Sequence, residues 1–477
     1  MIHQFKSEGY NIILDVNSGS VHVVDDLVYD LVKTVEAIYE GGVTDVETMK
    51  AAVNVAGDMT ATEEEVDEAV EEIMELAKAG KLFSKDVYEP YIDKFKEGKH
   101  YVKALCLHIA HDCNLACKYC FASEGEYHGD RGLMSLEVGK KAIDFLVRES
   151  GSHVNLEVDF FGGEPTLNFD VVKGIVEYGR SLEKEHNKKF RFTLTTNGIL
   201  LNDEIMEFAN KEMHNVVLSI DGRKEVNDRM RPGRGGQGSY DIIVPKFIKL
   251  AESRNQMNYY VRGTYTHYNM DFSEDVLHLA DLGFEQISVE PVVAQPSDDY
   301  ALKKEDLPYL KDQYDKLAHE MIIRRKNGKP FNFFHFMIDL SGGPCVYKRL
   351  SGCGSGCEYM AVTPWGDLYP CHQFVGNEKF LMGNVDTGVT RPEISEKFSA
   401  CNVYQKPACR DCFARFYCSG GCAANSYNFH GNIIDAYEVG CELERKRVEC
   451  AIMLKVAENF GEGFEDSVES DEKADAD

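Results

Sequence analysis

Between about residue 100 and residue 300 the chain alternates six times between a short β-branched or aromatic run and a helical stretch. The strand-like runs are Ala104–Ala110, Asn155–Phe160, Arg191–Thr196, Val216–Ile220, Tyr259–Tyr265 and Glu285–Glu290, and Leu136–Val147 and Ile242–Ala251 typify the helices between them. Such alternation requires parallel strands joined by right-handed crossovers, because each strand must be carried back over the sheet before the next begins. Six units fall short of the usual eight-fold closed barrel. The sequence therefore predicts an α/β fold built on a partial (β/α)6 barrel over residues 96–340, with its chemistry in the loops that follow the strands.

Cysteine placement sets the second constraint. Of 15 cysteines, one is Cys106, three lie between Cys113 and Cys120, and eleven crowd between Cys345 and Cys450. No run of about 18 apolar residues occurs, so no membrane span is expected. The first residues lack a secretory layout, so a cytoplasmic location is expected. Thiols stay reduced there, and tight C-x2-C and C-x3-C spacings are metal-ligand patterns rather than a disulfide framework.

Net charge is −28. Residues 1–95 hold 21 Asp/Glu against 7 Lys and no Arg, and residues 461–477 hold 8 Asp/Glu against one Lys. Acidic ends disfavour nucleic acid, which needs basic surface. They serve solubility, or attraction to a basic partner.

Residues 1–95 read as a small separate domain. Tyr10–Asp15 and Val21–Val24 flank the turn residues Asn17-Ser18-Gly19, a hairpin signal. One helix follows from Leu27 to Ile38, and a second starts at Thr62 with Glu65 completing a capping box and Gly80 ending it. In residues 341–458 the periodicity fades, and ligand bonds are expected to replace a hydrophobic core. Residues 459–477 are expected to form a disordered acidic tail.

Directly after the first barrel strand, Cys113, Cys117 and Cys120 form C-x3-C-x2-C. Three thiolates on a 4Fe–4S cube leave one iron open. A zinc site would want a fourth ligand, and no fourth cysteine or suitably placed His follows nearby. Phe160-Phe161-Gly162-Gly163-Glu164-Pro165 follows the second strand, Thr195-Thr196-Asn197-Gly198 the third, and Ser219-Ile220-Asp221-Gly222 the fourth, while Arg262 lies on the fifth. The two glycines let backbone approach a ligand, and Glu164 can accept from an ammonium group. All these segments share the strand C-terminal ends.

This region resembles the radical S-adenosylmethionine (SAM) superfamily. The resemblance implies that Cys113, Cys117 and Cys120 hold a 4Fe–4S cluster shielded by Tyr119, and that Gly163 and Glu164 take the SAM amino group. It further implies that Ser219, Asp221 and Asn197 meet the ribose and that Arg231 or Arg262 meets the carboxylate. No match to the family's fifth-strand adenine motif is found, so adenine contacts stay unassigned.

Downstream, Cys353, Gly366 and Cys371 stand at C-x12-G-x4-C, and Cys409, Cys412, Cys418 and Cys422 at C-x2-C-x5-C-x3-C, with Cys441 beyond. Seven cysteines in this order resemble the SPASM extension of peptide-modifying radical enzymes. The resemblance implies two auxiliary 4Fe–4S clusters, three clusters in all. Cys409, Cys412, Cys418 and Cys441 would hold one; Cys353, Cys371 and Cys422 would hold the other. Cys357 or Cys345 would be its fourth ligand, or neither. Cys106, Cys401 and Cys450 fit no pattern and read as buried structural thiols.

Residues 1–95 resemble the winged-helix peptide-recognition element of ribosomal peptide modification, which binds a leader peptide as an added strand. The three parts in this order resemble the maturases of cysteine-rich SCIFF peptides. That resemblance implies a sactipeptide-type oxidoreductase joining Cys sulfur to an α-carbon by a thioether. Its implied partners are a Cys-rich precursor peptide and a reduced flavodoxin- or ferredoxin-type donor. A sulfatase-type maturase and a non-catalytic zinc-binding adaptor are the alternatives.

Overall fold

The computed structural model describes residues 1–56, 61–92, 101–340 and 346–460. Strands β1 (Ile2–Ser7), β2 (Tyr10–Asp15) and β3 (Val21–Val24) form an antiparallel sheet in that order, and helices α1 (Asp26–Glu40), α2 (Val46–Ala56) and α3 (Glu63–Lys78) pack on it. The hairpin and the Thr62–Glu65 capping box are as expected. Strand β1 and helix α2 correct the expectation of two strands and two helices. Strand β1 has the mixed polarity of an edge, and α2 is a short helix whose single apolar stripe is carried by Met49 and Val53.

Strand β2 divides its side chains by the two-residue period of a strand. Ile13 joins a small core with Val32, Val35, Val70 and Ile73, whereas Ile12 and Leu14 join the main core of the molecule. The small sheet is therefore covered on both faces, by its own helices and by the rest of the chain.

The second sheet has twelve strands. Its centre is parallel and in sequence order: β4 (Ala104–His111), β6 (Asn155–Gly162), β7 (Lys189–Thr196), β8 (Met213–Ser219), β9 (Tyr259–Tyr265) and β10 (Gln286–Pro291). Strand β5 (Gly132–Leu133) pairs antiparallel to the end of β4. Strands added always on the same side, by crossovers of one hand, put every helix on one face. That face is apolar: Leu105, Leu107, Val158, Phe160, Phe192, Leu194, Val216, Leu218 and Val261 are fully buried beneath the helices. The opposite, inner face carries polar side chains, among them His108, Asp159, Thr193, Ser219, Arg262 and Glu290.

The sheet does not stop at six strands. β11 (Asn332–Phe333) joins β10, and β12 (Tyr359–Val362) joins β4 in parallel, with Tyr359 opposite Ala104 and Val362 opposite Leu107. Residues 341–458 were expected to lack a core, and the structure corrects this. Ala361, Val362, Leu368, Met382 and Val403 are fully buried in the same core as the barrel strands. Short strands and loops hid that core, because neither long periodicity marks it. The C-terminal helix Glu438–Phe460 packs on the helix Leu307–Lys326 and includes Asn459 and Phe460, which were expected in the tail. The remaining tail residues, 461–477, lie outside the described residues. Among the described residues no helix is long and apolar enough to cross a membrane.

Candidate active site

The segment after β4 is gripped by backbone. Gly163 N donates to Ala110 O at 2.7 Å and Glu164 N to Asp112 O at 2.9 Å. From the other side Ala116 N donates to Pro232 O at 2.8 Å and Lys118 N to Met230 O at 2.9 Å. The loop carrying Cys113, Cys117 and Cys120 is thus held between the Gly-Gly-Glu segment and residues 230–233. A Cβ on Gly163 would sit 2.0 Å from Asp112 O, and one on Gly162, whose φ is +120°, 2.4 Å from Ala110 O. Both glycines are required by this packing alone, a reason the sequence did not disclose.

The three sulfurs lie close enough for Cys117 and Cys120 to oppose ionisation of Cys113. Burial pushes Cys113 up to about 12 and Cys117 up to about 11, with Arg231 acting in the opposite sense on Cys117. A thiol that burial keeps protonated is ionised readily by a metal, since coordination replaces the proton.

Glu164 is 1% exposed. Its carboxylate accepts from Thr166 N (3.0 Å), Thr166 Oγ1 (2.5 Å), Thr196 Oγ1 (2.8 Å) and Asn197 N (2.7 Å). Burial raises its pKa against these four bonds. Glu164 thereby ties the loop after β6 to the loop after β7. Asn197 continues the tie, donating from Nδ2 to Asn114 Oδ1 at 2.7 Å with Cys113 Sγ 3.6 Å away. Asn114 Nδ2 is buried beside it, without a partner among the described residues.

A second knot joins Tyr119, Asp221 and Arg231. Tyr119 donates to Asp221, Arg231 Nη1 donates to Tyr119 Oη at 2.9 Å, and Asp221 Oδ1 accepts from Thr264 N at 3.1 Å. Burial raises Asp221 to about 6 although Arg231 and Tyr119 pull it down. Arg231 Nε is buried and has no partner among the described residues. Arg262 lies instead on the inner face, paired with Glu290 of the next strand. Ser219 stands next to it in register on β8.

Seven of the remaining cysteines fall into two groups. Cys371 senses Cys422 and Cys353; Cys418 senses Cys441, Cys409 and Cys412. Burial raises all four thiols of Cys371, Cys418, Cys409 and Cys422, Cys409 to about 11. Cys357 lies near Cys353, but its thiol donates to Ser395 O at 3.2 Å. Cys345 lies outside the described residues. As free thiols the sulfurs do not meet at a point: among the described residues no three His, Cys, Asp or Glu side chains are placed to hold a single metal ion. The donor set, cysteine thiols grouped in threes and fours, nevertheless suits sulfur-ligated clusters.

Cys106 and Cys450 are buried as expected, whereas Cys401 is only half-buried, its thiol donating to Ile433 O. Tyr127 was not anticipated. It is buried between the rings of His108 and His111, at 4.4 and 4.6 Å, and donates to Gly162 O at 3.1 Å. Burial holds its hydroxyl protonated, and Cys106, Cys120, Cys113 and Cys371 lie near enough to act in the same sense. Neither its spacing nor its type distinguished it from a core aromatic.

Residues 107–289 match the model of the Radical SAM superfamily. The chain therefore carries a radical SAM domain, set on the sheet just described.

Three curated relatives extend the match. The chain is 29% identical to an uncharacterized protein of Methanocaldococcus jannaschii, over 62% of this chain and 94% of the relative. It is 22% identical to the radical SAM cyclopropyl synthase TigE of Paramaledivibacter caminithermalis, over 74% of each. It is 25% identical to the cysteine-type anaerobic sulfatase-maturating enzyme of Clostridium perfringens, over 65% of this chain and 85% of the relative. Among solved structures, anSMEcpe with AdoMet and the Cp18Cys peptide aligns with a TM-score of 0.60 at 20% identity, covering 75% of this chain and 99% of that one. SuiB of Streptococcus suis bound to S-adenosylmethionine aligns at 0.50 and 16% identity, covering 92% of this chain and 98% of that one. These structures share its fold.

Proposed function

We propose that this chain is a radical SAM maturase that forms thioether cross-links between Cys sulfur and an α-carbon in a ribosomally made, Cys-rich peptide. The observation that carries the reading is the gathering of ten cysteines into three groups, one at the C-terminal end of the parallel sheet and two in the region added to the edge of that sheet. In this reading Cys113, Cys117 and Cys120 hold the SAM-binding cluster, Cys409, Cys412, Cys418 and Cys441 one auxiliary cluster, and Cys353, Cys371 and Cys422 the other. Cys357 is a weaker candidate for the last position, since its thiol is turned to Ser395 O. The bound cofactors supply a carbon-centred radical that takes hydrogen from the peptide. The chain's own part is to hold the Cys113–Cys120 loop, through Gly163, Glu164 and Asn197, and to anchor Tyr119 and Arg231 beside it. The inner face of the sheet aims the peptide and excludes water.

Residues 1–95 are the leader-binding domain in this reading, residues 96–340 the partial barrel and 341–458 the SPASM domain. Strand β3 supports it. Val21–Val24 pairs only with β2 among the described residues and carries neither a Pro nor a Lys, Arg, Asp or Glu of the kind that blunts an edge. β1, at the other edge, carries Lys6, and His3 of that strand bonds Glu449 of the C-terminal helix. A peptide can extend the sheet at β3. The name of SuiB's partner, the precursor peptide SuiA, fits a peptide substrate.

A second reading, oxidation of a Cys or Ser in a sulfatase-like protein, is favoured by the match to the C. perfringens enzyme. The deciding experiment is anaerobic reaction with Cys-rich precursor peptides and with sulfatase-derived peptides, read by tandem mass spectrometry. Loss of two hydrogens per cross-link, with fragmentation blocked across the linked residues, is the expected result. Aldehyde formation on the sulfatase peptide alone would establish the second reading.

A further inference from the structure

Lysine is among the residues least often buried, and a buried ammonium needs an anion. Lys406 is 2% exposed. Among the described residues its Nζ makes one long hydrogen bond, to Ser426 Oγ at 3.4 Å, and no carboxylate pairs with it. What surrounds it instead is sulfur-bearing backbone. Cys409 N donates to Lys406 O at 3.0 Å. The lysine stem lies over Gly420, midway between Cys418 and Cys422, with Cδ at 3.6 Å from the position a Cβ would take there. Ser426, its partner, donates its own N–H to Cys422 O at 3.1 Å. Lys406 thus touches segments of both C-terminal cysteine groups, Cys409 belonging to one and Cys422 to the other.

We infer that Lys406 is the shared counter-charge of two anionic iron–sulfur clusters and raises the reduction potential of both. The inference rests on the reading that these cysteine groups hold clusters. Four thiolates on a cluster give it net negative charge, and each added electron makes it more negative. A fixed cation nearby stabilises the reduced form, so the one-electron reduction equilibrium moves toward reduction. Lys406 is here a positioning and tuning residue, remote from the substrate.

The test uses the full chain carrying Cys113→Ala, Cys117→Ala and Cys120→Ala, so that only the C-terminal clusters report. Redox titration followed by electron paramagnetic resonance compares this background with Lys406→Met and Lys406→Arg. In Lys406→Met the oxidised-to-reduced ratio at a fixed solution potential should rise at least tenfold, about 59 mV for a one-electron centre. Lys406→Arg keeps the charge and should stay close to the parent. Unchanged titration in Lys406→Met would overturn the inference. A second measurement covers poor cluster loading. In metal-free protein the lysine lacks its counter-charge, so Lys406→Met should melt at a higher temperature than the parent, and a lower melting temperature would also overturn it. Absence of iron and acid-labile sulfide from the parent itself would instead overturn the cluster reading, and the inference with it.

Discussion

The hydroxyl of Tyr119 donates to both carboxylate oxygens of Asp221, at 2.7 and 2.8 Å, across 102 residues of chain. Tyr119 lies between Cys117 and Cys120, and Asp221 follows β8, so this one contact fixes the cysteine loop against the middle of the sheet. Asp221 is fully buried. Its carboxylate also accepts from Thr264 N at 3.1 Å, and Arg231 Nη1 stays 3.9 Å away.

Tyr119→Phe keeps the ring and removes the donor. A buried carboxylate that loses its hydroxyl partner costs about 1–3 kcal/mol. The variant should lose that much stability in urea unfolding of the metal-free protein, with the m-value unchanged. No change in midpoint would mean that water replaces the hydroxyl.

The raised pKa of Asp221 has a consequence for pH. Its folded value of about 6 lies above the ordinary carboxylate value, so the folded state binds the proton more tightly than the unfolded chain. The stability this contributes is fully present below about pH 4 and is lost as pH rises through about 6. Asp221→Asn should therefore flatten the pH dependence of stability between pH about 4 and 6. Parallel curves for the variant and the parent would count against the burial of a titrating group there.

Gly163→Ala should act on the cysteine loop rather than on the sheet. The added methyl would fall 2.0 Å from Asp112 O, next to Cys113, and backbone must move to make room. Iron reconstituted at the first cysteine group should fall, while the auxiliary clusters load normally. Electron paramagnetic resonance with and without added SAM separates the two populations.

Asp86 joins the N-terminal sheet to the Cys-rich region. It accepts from Tyr404 Oη at 2.8 Å and from Arg415 Nη2 at 3.0 Å, and Arg415 also donates to Asn17 Oδ1 at 2.6 Å. Arg415 is 7% exposed and would be left uncompensated by Asp86→Ala. The expected loss is about 3–5 kcal/mol, as for a broken buried pair, measured by thermal unfolding.

Deleting residues 1–92 is a harsher operation than the sequence suggests. Phe5, Ile12, Leu14 and Val16 belong to the main core, so their loss uncovers apolar surface on the remaining chain. The truncated protein should aggregate on size-exclusion chromatography, and leader binding is better tested on β3.

The parallel sheet, its strands and the cysteine groups were legible in the sequence because each rests on a local rule. Alternation of strand and helix dictates parallel order, a capping box at Thr62 starts a helix, and C-x3-C-x2-C brings three sulfurs within one loop whatever the fold around it. Long-range pairing obeys no such rule. That β12 would join β4, that Glu164 would be consumed in tying two loops, and that Lys406 would be buried against segments of two cysteine groups depended on which segments met after the core closed. Burial and the direction of a side chain are properties of the packed molecule. Sequence determined which residues could take up the chemistry; tertiary structure decided which of them are free for it, because a buried polar group is claimed first by the neighbour that satisfies it.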